Sequence, residues 1–158
     1  MVKTINKRET KLTEHFTLAE LTHTNVKLSA VESERQHSPR GDVRQNLKRV
    51  CRWLEMLREE WNRRYGEGSD PIIINSGYRS ESVNKAVGRA YTSNHLSGCA
   101  ADIRVDGKEQ LLRYATILLD ISDESDEPFD ELILEYKDGR QWLHFAVREA
   151  GNRRRIVL

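Results

Sequence analysis

A β-hairpin is predicted for residues 131–147, which read ELILEYKDGRQWLHFAV. An Asp-Gly pair between two arms of alternating apolar residues is the strongest short signal for a two-residue hairpin turn. With Asp138 and Gly139 at the turn, counting back along both arms sets Ile133 opposite His144. Because successive side chains point to opposite faces of a strand, this register also assigns every hairpin residue to one of two faces.

One face of the hairpin is apolar and the other carries polar side chains. The apolar face, which is expected to join the core, carries Leu132, Leu134, Leu143 and Phe145. The second face carries Ile133, Glu135, Trp142 and His144. Glu135 and His144 are then diagonal neighbours across the two strands, roughly 7 Å apart at the backbone. That gap is wide enough for a metal ion and a water molecule, with the glutamate beside the water.

Helical and extended patterns alternate along the rest of the chain. Apolar residues at three- and four-residue spacing predict a long core helix, capped by Asp42 and ended by Gly66. Shorter helices are predicted after the capping box of Thr17 and Glu20, and at 80–88 and 108–121. Strands are predicted within 71–80, at 100–105 and, as an edge strand, at 154–158, with loops at 30–41, 89–99 and 123–128. Helices segregated from a hairpin-bearing sheet indicate an α+β fold, a small antiparallel sheet packed by helices.

The bulk properties limit the class of protein. The chain has 158 residues, which suits a single domain spanning 1–158. The net charge of +1 creates no basic field of the kind that nucleic-acid binding needs. Cys51 and Cys99 are too few for a disulfide framework and are expected to be buried thiols. The polar N-terminus has no signal-peptide core and no apolar run spans a bilayer, so we expect a soluble monomer made in the cytoplasm.

Residues 93–102, SNHLSGCAAD, place a histidine and an aspartate on either side of several small residues. A turn at Gly98 would bring the side chains of His95 and Asp102 together. With His144 they form a set of three protein ligands that leaves one position open, which is typical of a catalytic zinc site. Zinc activates a water molecule, and Glu135, outside the ligand set, is placed to take the proton of the water and pass it to a leaving amine.

Alternatives stay open for the neighbouring residues. Cys99, four residues after His95, is an alternative ligand. Arg79 follows a predicted strand, where it either binds a substrate carboxylate or pairs with an acidic neighbour. Trp142 either joins the core or, from its position on the face of His144, forms a wall of the substrate cleft.

Residues 76–102 read SGYRSESVNKAVGRAYTSNHLSGCAAD, and with FDELILEY and WLHFAV they resemble the zinc D-Ala-D-Ala carboxypeptidase family. That family also includes vancomycin-resistance D,D-dipeptidases, phage L-alanyl-D-glutamate endolysins and, by fold, the hedgehog signalling domain. The resemblance covers residues 14–148 and implies a hedgehog/D,D-peptidase-like fold. It implies one zinc ion per chain on His95, Asp102 and His144. It also implies a substrate carboxylate on Arg79, a hydrogen bond from Ser93 to the bound peptide and Glu135 as general base.

One departure from the family concerns the general base. Several members of the wider family carry the acidic catalyst three residues before the last histidine ligand, a position that Gln141 holds here. Glutamine cannot take a proton. The hairpin register puts Gln141 on the core face and Glu135 on the face of His144, which resembles the branch whose glutamate ends the preceding strand. We therefore expect Glu135 to be the base.

These observations predict a zinc-dependent peptidase that hydrolyses peptidoglycan stem peptides at the cell wall or in the periplasm. A D-Ala-D-Ala carboxypeptidase is the leading activity. An endopeptidase with the same mechanism, as in phage endolysins, and a zinc-bearing binding module without turnover stay open as alternatives. A phage or prophage origin would explain how a chain without an export signal reaches the wall.

Overall fold

The computed structural model describes residues 10–157, in which five α-helices and one 3-10 helix accompany a five-stranded sheet. The helices are α1 (Leu18–Thr22), α2 (Ala30–His37), α3 (Gly41–Arg64), α4 (Glu81–Ala86) and α5 (Lys108–Ser125), and the 3-10 helix is η1 (Asn94–Ser97). The strands are β1 (Ile74–Ser76), β2 (Ala100–Arg104), β3 (Glu131–Lys137), β4 (Arg140–Ala146) and β5 (Arg155–Val157). The predicted α+β class is confirmed. Most of the segment from which the lack of a signal peptide was inferred, and Leu158, lie outside the described residues.

The strand order across the sheet is β1-β2-β4-β3-β5. The first four strands pair in antiparallel fashion, but β5 pairs in parallel with β3. The edge strand near the chain end is therefore confirmed, whereas the prediction of an antiparallel sheet is wrong at this strand. The reason is that β4 ends beside the start of β3. Residues 147–154 reverse the chain direction at that end of the sheet, so β5 begins beside Glu131 and runs in the same direction as β3.

The hairpin of β3 and β4 has the predicted register, with Ile133 opposite His144. Asp138 and Gly139 have φ angles of 51° and 76°. Positive φ at both central residues is what a type I′ turn requires, and its twist matches that of the strands. The predicted core face is buried at Leu132, Leu143 and Phe145 and partly buried at Leu134.

The long helix α3 supplies one wall of the core. The predicted apolar stripe is buried throughout, at Val43, Leu47, Val50, Cys51, Leu54, Leu57 and Trp61. The helix begins before the predicted cap, because Arg40 holds the cap position without a side-chain hydrogen bond and Asp42 lies in the first turn. An acidic side chain in the first turn interacts favourably with the helix dipole, so Asp42 supports this helix end without capping it.

Helix α2 corrects the prediction of a loop over residues 30–41. The Ser29 hydroxyl accepts a hydrogen bond from the Glu32 N–H and starts the helix. Gln36 is the one buried residue of α2, so the helix lacks the apolar stripe by which amphipathic helices are recognised. The buried amide of Gln36 instead donates to the Thr22 and Tyr78 carbonyls and fastens the helix to the chain on either side.

Other predicted elements agree with the structure more closely. The predicted helix at 80–88 is confirmed as α4, which Ser80 caps, and the predicted strand at 100–105 is confirmed as β2. Helix α5 runs to Ser125 and so includes the start of the predicted acidic loop at 123–128. Asp126 then ends it in the left-handed conformation, with φ 56°.

A row of directly paired residues crosses four strands on one face of the sheet: Ser76, Asp102, His144 and Ile133. The intervening residues Ala101, Ile103, Leu143 and Phe145 point the other way, into the core that α3 and α5 help to form. The row therefore lies on the face that those helices leave uncovered, which we call the site face. Among residues 10–157, none of the helices has the length and apolar character needed to cross a membrane.

Candidate metal centre

Three buried side chains, His95, Asp102 and His144, converge on the site face. His95 Nε2 lies 3.2 Å from Asp102 Oδ1, and His144 Nδ1 lies 3.0 Å from the same oxygen. Asp102 and His144 meet because β2 and β4 place them directly opposite each other. The structure thus brings together the three residues that the sequence analysis selected as ligands, and the alternative, Cys99, is outside the group.

His95 reaches the group from η1, whose geometry depends on small residues. The Ser93 hydroxyl accepts a hydrogen bond from the His95 N–H and begins the helix. Gly98 ends it at φ 75°, and a Cβ on Gly98 would lie 2.8 Å from the Val43 carbonyl oxygen of α3. A residue in this conformation, packed so closely against a helix, has to be glycine. Gly98 therefore makes the turn that leads from His95 into β2.

Residues 76–80, SGYRS, hold the other side of His95. The Gly77 carbonyl accepts a hydrogen bond from His95 Nδ1 at 2.6 Å, and the Arg79 backbone N–H donates to the His95 carbonyl at 3.0 Å. Gly77 packs against α1 so closely that a Cβ would collide with the Leu21 carbonyl. The main chain of this segment therefore sets both the position and the tautomer of the His95 ring.

The outer nitrogens of both imidazoles are already used as donors. His95 Nδ1 donates to the Gly77 carbonyl, and His144 Nε2 donates to Glu131 Oε1 at 3.2 Å. These directions follow from the partners, because a carbonyl or carboxylate oxygen can only accept. The inner nitrogens, which face Asp102, are thus left to hold a proton or a metal ion. Two imidazole nitrogens and one carboxylate oxygen, with acceptors behind the imidazoles, fit a zinc ion.

The surroundings of His144 favour positive charge at the centre of the group. Burial by itself disfavours the charged form of both Asp102 and His144. The imidazoles of His95 and His144 nevertheless hold the pKa of Asp102 well below its usual range. Hydrogen bonds to Asp102 and Glu131 raise the pKa of His144 to about 9. A cation is stabilised here whether it is a proton or a metal ion, so a metal ion that binds here displaces a proton from His144.

Arg79 forms a buried ion pair with the acidic member of the group. Its Nη2 donates to Asp102 Oδ2 at 2.9 Å, and its Nε donates to Ser76 Oγ at 3.0 Å. Burial, at 7% exposure, lowers the pKa of Arg79 although Asp102 opposes this effect. Arg79 thus occupies one oxygen of Asp102 and leaves the other, Oδ1, to the two imidazoles. Pairing with an acidic neighbour, one of the two roles considered for Arg79, is what the contacts show.

Glu135 lies on the site face, half-buried, and Gln141 pairs with Tyr136 on the opposite face. The carboxylate of Glu135 is 3.4 Å from Arg89 Nη2. Asn84 holds the loop that carries Arg89, because its Nδ2 donates to the carbonyls of Arg89 and Ala90. Sequence analysis did not single out Arg89, because a cation in an irregular loop belongs to no periodic pattern.

Trp142 and Ser93 each lie two residues before a histidine of the group, Trp142 before His144 and Ser93 before His95. Trp142 is half-buried opposite Glu135, and its buried Nε1 has no hydrogen-bond partner within residues 10–157. Ser93 is also half-buried, and its oxygen accepts the N–H that starts η1, so its hydroxyl proton remains available to a further acceptor.

Glu131 is a further site residue that the sequence analysis missed. It shares the site face with His144 and Glu135, since it lies two residues before Ile133 on the same strand. It is buried, and its hydrogen bond to His144 holds its own pKa at about 2. The alternation of side chains along β3 was enough to find it, because Glu131 and Glu135 are diagonal neighbours of His144 on opposite sides.

A second group of metal-type side chains comprises Glu14, His15 and Glu55 and is largely exposed. The Glu55 carboxylate accepts hydrogen bonds from the Thr13 hydroxyl and from the backbone N–H and Nδ1 of His15. These bonds fasten the N-terminal turn to α3, which accounts for the cluster without an ion.

Two surface cavities flank α3. The larger, of about 1250 Å³, is lined by Trp53 and Asn152 among others and does not include the buried group. The smaller, of about 880 Å³, is bordered by Ser93 and Asn94 at the start of η1. The convergence of side chains, and not cavity size, marks the candidate centre.

Comparison with known families supports this interpretation. A family model described as Peptidase M15 matches residues 14–122. The matched range contains Arg79, His95 and Asp102 and ends before Glu135 and His144. This match confirms the resemblance that residues 76–102 carry. Among curated proteins, none matches the chain.

Proposed function

The chain belongs to the peptidase M15 family, and from this membership we propose that it is a zinc-dependent peptidase with His95, Asp102 and His144 as its metal ligands. The observation that carries the proposal is the convergence of these three buried side chains, with the outer nitrogen of each imidazole already bonded to an acceptor. When bound, zinc supplies a Lewis acid that polarises a carbonyl and activates water. All other roles fall to side chains of this protein.

Glu135 is the proposed general base. It lies on the site face without belonging to the ligand group, whereas Gln141, the other position considered for the base, lies on the other face. Glu135 takes the proton of the attacking water as the oxygen bonds to the carbonyl carbon. It then delivers that proton to the amide nitrogen as the carbon–nitrogen bond breaks. Arg89 must move away from Glu135 or share it for this role.

The proposed substrate is a stem peptide of peptidoglycan, so the site of action would be the cell wall. The leading activity is removal of the terminal D-Ala. Arg79 would bind the terminal carboxylate through Nη1, which has no hydrogen bond among the described residues. Ser93 would donate its hydroxyl proton to the peptide, and the half-buried Trp142 would form a wall of the cleft.

A second candidate is an endopeptidase that cuts an internal bond of the same peptide. It is favoured by the burial of Arg79 and its pairing with Asp102, which leave a single nitrogen for a terminal carboxylate. An endopeptidase does not need that contact. It keeps the same ligands and the same base.

The experiment that tests the proposal is incubation of the zinc-loaded protein with purified muropeptides, followed by mass spectrometry. Loss of one D-Ala residue supports the carboxypeptidase, whereas fragments from an internal cut support the endopeptidase. The Glu135→Gln variant is the matched control, because it keeps the shape of the side chain without its basicity. A zinc-loaded protein that cleaves no muropeptide at any pH would contradict the peptidase and leave a zinc-bearing binding module.

A further inference from the structure

Asn94 links the two histidines of the candidate metal centre, although it is not a ligand. It precedes His95 in η1, and its side chain is buried at the start of β3. There its Nδ2 donates to Asp130 Oδ2 at 2.7 Å and to Glu131 Oε1 at 2.6 Å. Glu131 Oε1 is also the atom that accepts the hydrogen bond from His144 Nε2. A single amide nitrogen therefore connects the element that carries His95 to the carboxylate that orients His144.

The orientation of the Asn94 amide is determined by its surroundings. Its Oδ1 accepts a hydrogen bond from Arg148 Nε at 2.9 Å, while its Nδ2 faces two carboxylates. Exchanging the two atoms would set an oxygen against the carboxylates and a donor against the arginine, which is unfavourable on both sides. The backbone carbonyl of Asn94 also accepts from the Cys99 N–H, which fixes the turn after His95.

Two arginines of the segment after β4, Arg153 and Arg155, bind the carboxylates of Asp130 and Glu131. Arg153 binds Asp130 through Nε and Nη2, at 3.0 and 2.8 Å. Arg155 Nη1 donates to Glu131 Oε2 at 3.2 Å. The second oxygen of Glu131 is thereby occupied, and Oε1 is left for Asn94 and His144. The segment after β4 thus fixes the two carboxylates to which Asn94 donates.

We propose that Asn94 and Glu131 are positioning residues that hold the inner nitrogens of His95 and His144 ready for the metal ion. The inference rests on the proposed metal centre. Residues behind a ligand that fix its orientation typically change metal affinity about 10- to 100-fold when they are altered. Asn94 acts on both histidines at once, on His95 through the backbone of η1 and on His144 through Glu131.

The test uses the affinity of the full chain for zinc, measured by competition with a chromogenic chelator, and the visible absorption spectrum of the cobalt-loaded protein. Asn94→Asp keeps the shape of the side chain but sets a third carboxylate against Asp130 and Glu131. We expect it to weaken zinc binding about 10- to 100-fold and to change the cobalt spectrum. Asn46→Asp is the matched control, because the Asn46 amide donates to the Ser97 carbonyl of the same η1 but touches no carboxylate there. It should leave both measurements unchanged.

Glu131→Gln is a second, neutral variant that keeps an acceptor for His144, and we expect it to weaken zinc binding by a similar factor. In the double variant, Asn94→Asp with Glu131→Gln, the change at Glu131 removes one of the two carboxylates that face position 94. The combined loss of zinc affinity should therefore be smaller than the product of the two single losses. If Asn94 did not act through Glu131, the two losses would multiply.

Unchanged zinc affinity and an unchanged cobalt spectrum in a folded Asn94→Asp protein would overturn the inference. If that variant does not fold, unchanged zinc affinity in Glu131→Gln would overturn it equally. A wild-type chain that binds no zinc would instead refute the metal centre of the proposed function itself.

Discussion

Replacing Asp130 by asparagine removes a buried carboxylate while its shape is kept. Asp130 has 0% exposure and is bonded to Asn94, Arg153 and, through an ion pair of 3.1 Å, Arg148. Burial would raise its pKa, but the hydrogen bonds from Arg153 and Asn94 lower it from the ordinary 3.8 to about 2. The folded state therefore favours the ionised form of this group.

The size and the sign of the effect follow from this pKa. A depression of this size corresponds to about 2 kcal/mol of stability at neutral pH, since one pKa unit is about 1.4 kcal/mol. Because Arg153 is half-exposed, solvent screening reduces this value. The contribution is fully present above the unfolded pKa near 4 and is lost as the pH falls towards the folded pKa near 2. Asparagine does not titrate, so Asp130→Asn should be less stable than wild type at pH 7 and approach it at low pH.

The assay is urea unfolding of wild type and Asp130→Asn at steps from pH 7 to pH 2, with the difference in free energy of unfolding as the readout. Taking the difference cancels the carboxylates that both proteins share. Asp123→Asn is the control, because it removes an exposed ion pair with Arg154 and should change stability by less than about 1 kcal/mol. A gap between wild type and Asp130→Asn that stays constant from pH 7 to pH 2 would refute the reasoning.

Three further predictions concern the candidate centre. His144→Ala should lose zinc, because two remaining ligands hold the ion too weakly, whereas Cys99→Ser should keep it; elemental analysis of the purified proteins decides, and full zinc in His144→Ala would contradict the ligand set. Glu135→Gln should keep zinc, but its turnover should fall on the order of 100- to 10,000-fold. Gln141→Ala should leave turnover nearly unchanged. Steady-state kinetics that show the reverse would make Gln141 the site residue. If Arg79 binds a terminal carboxylate, a stem peptide with a free terminus should be cut about 10- to 150-fold faster than its amide, which corresponds to about 1.5–3 kcal/mol. Arg79→Lys should reduce this preference. Equal rates on both peptides would favour the endopeptidase.

Local patterns in the sequence were sufficient for the elements whose signals lie within a few residues. Asp138 and Gly139 determine the register of the hairpin, because a two-residue turn leaves no freedom in how the arms pair. That register assigned His144 to the site face and Gln141 to the other face, as observed. Helix α3 was equally predictable, from the spacing of its apolar residues. Helix α2 was not, because its one buried residue, Gln36, is polar and leaves no stripe to detect.

The composition of the candidate centre was only partly accessible from the sequence. The convergence of His95, Asp102 and His144 was foreseen, and the structure supports it through the pairing of β2 with β4. The sequence did not determine which carboxylate, that of Glu131 or that of Glu135, touches His144. Both lie two residues from Ile133 on the same face of β3, and strand alternation treats them alike.

The contacts of Arg79 and Asn94 were decided by tertiary structure alone. Arg79 meets Asp102 because β1 pairs with β2 so that Ser76 lies opposite Asp102. Asn94 meets Glu131 because η1 packs at the start of β3. Turn chemistry and periodicity report on the chain within about a dozen residues, whereas a buried polar side chain takes whichever partner the packed elements bring within hydrogen-bond reach. The sequence could therefore name the residues able to hold a metal ion, but only the assembled sheet and η1 determined which groups form hydrogen bonds with those residues.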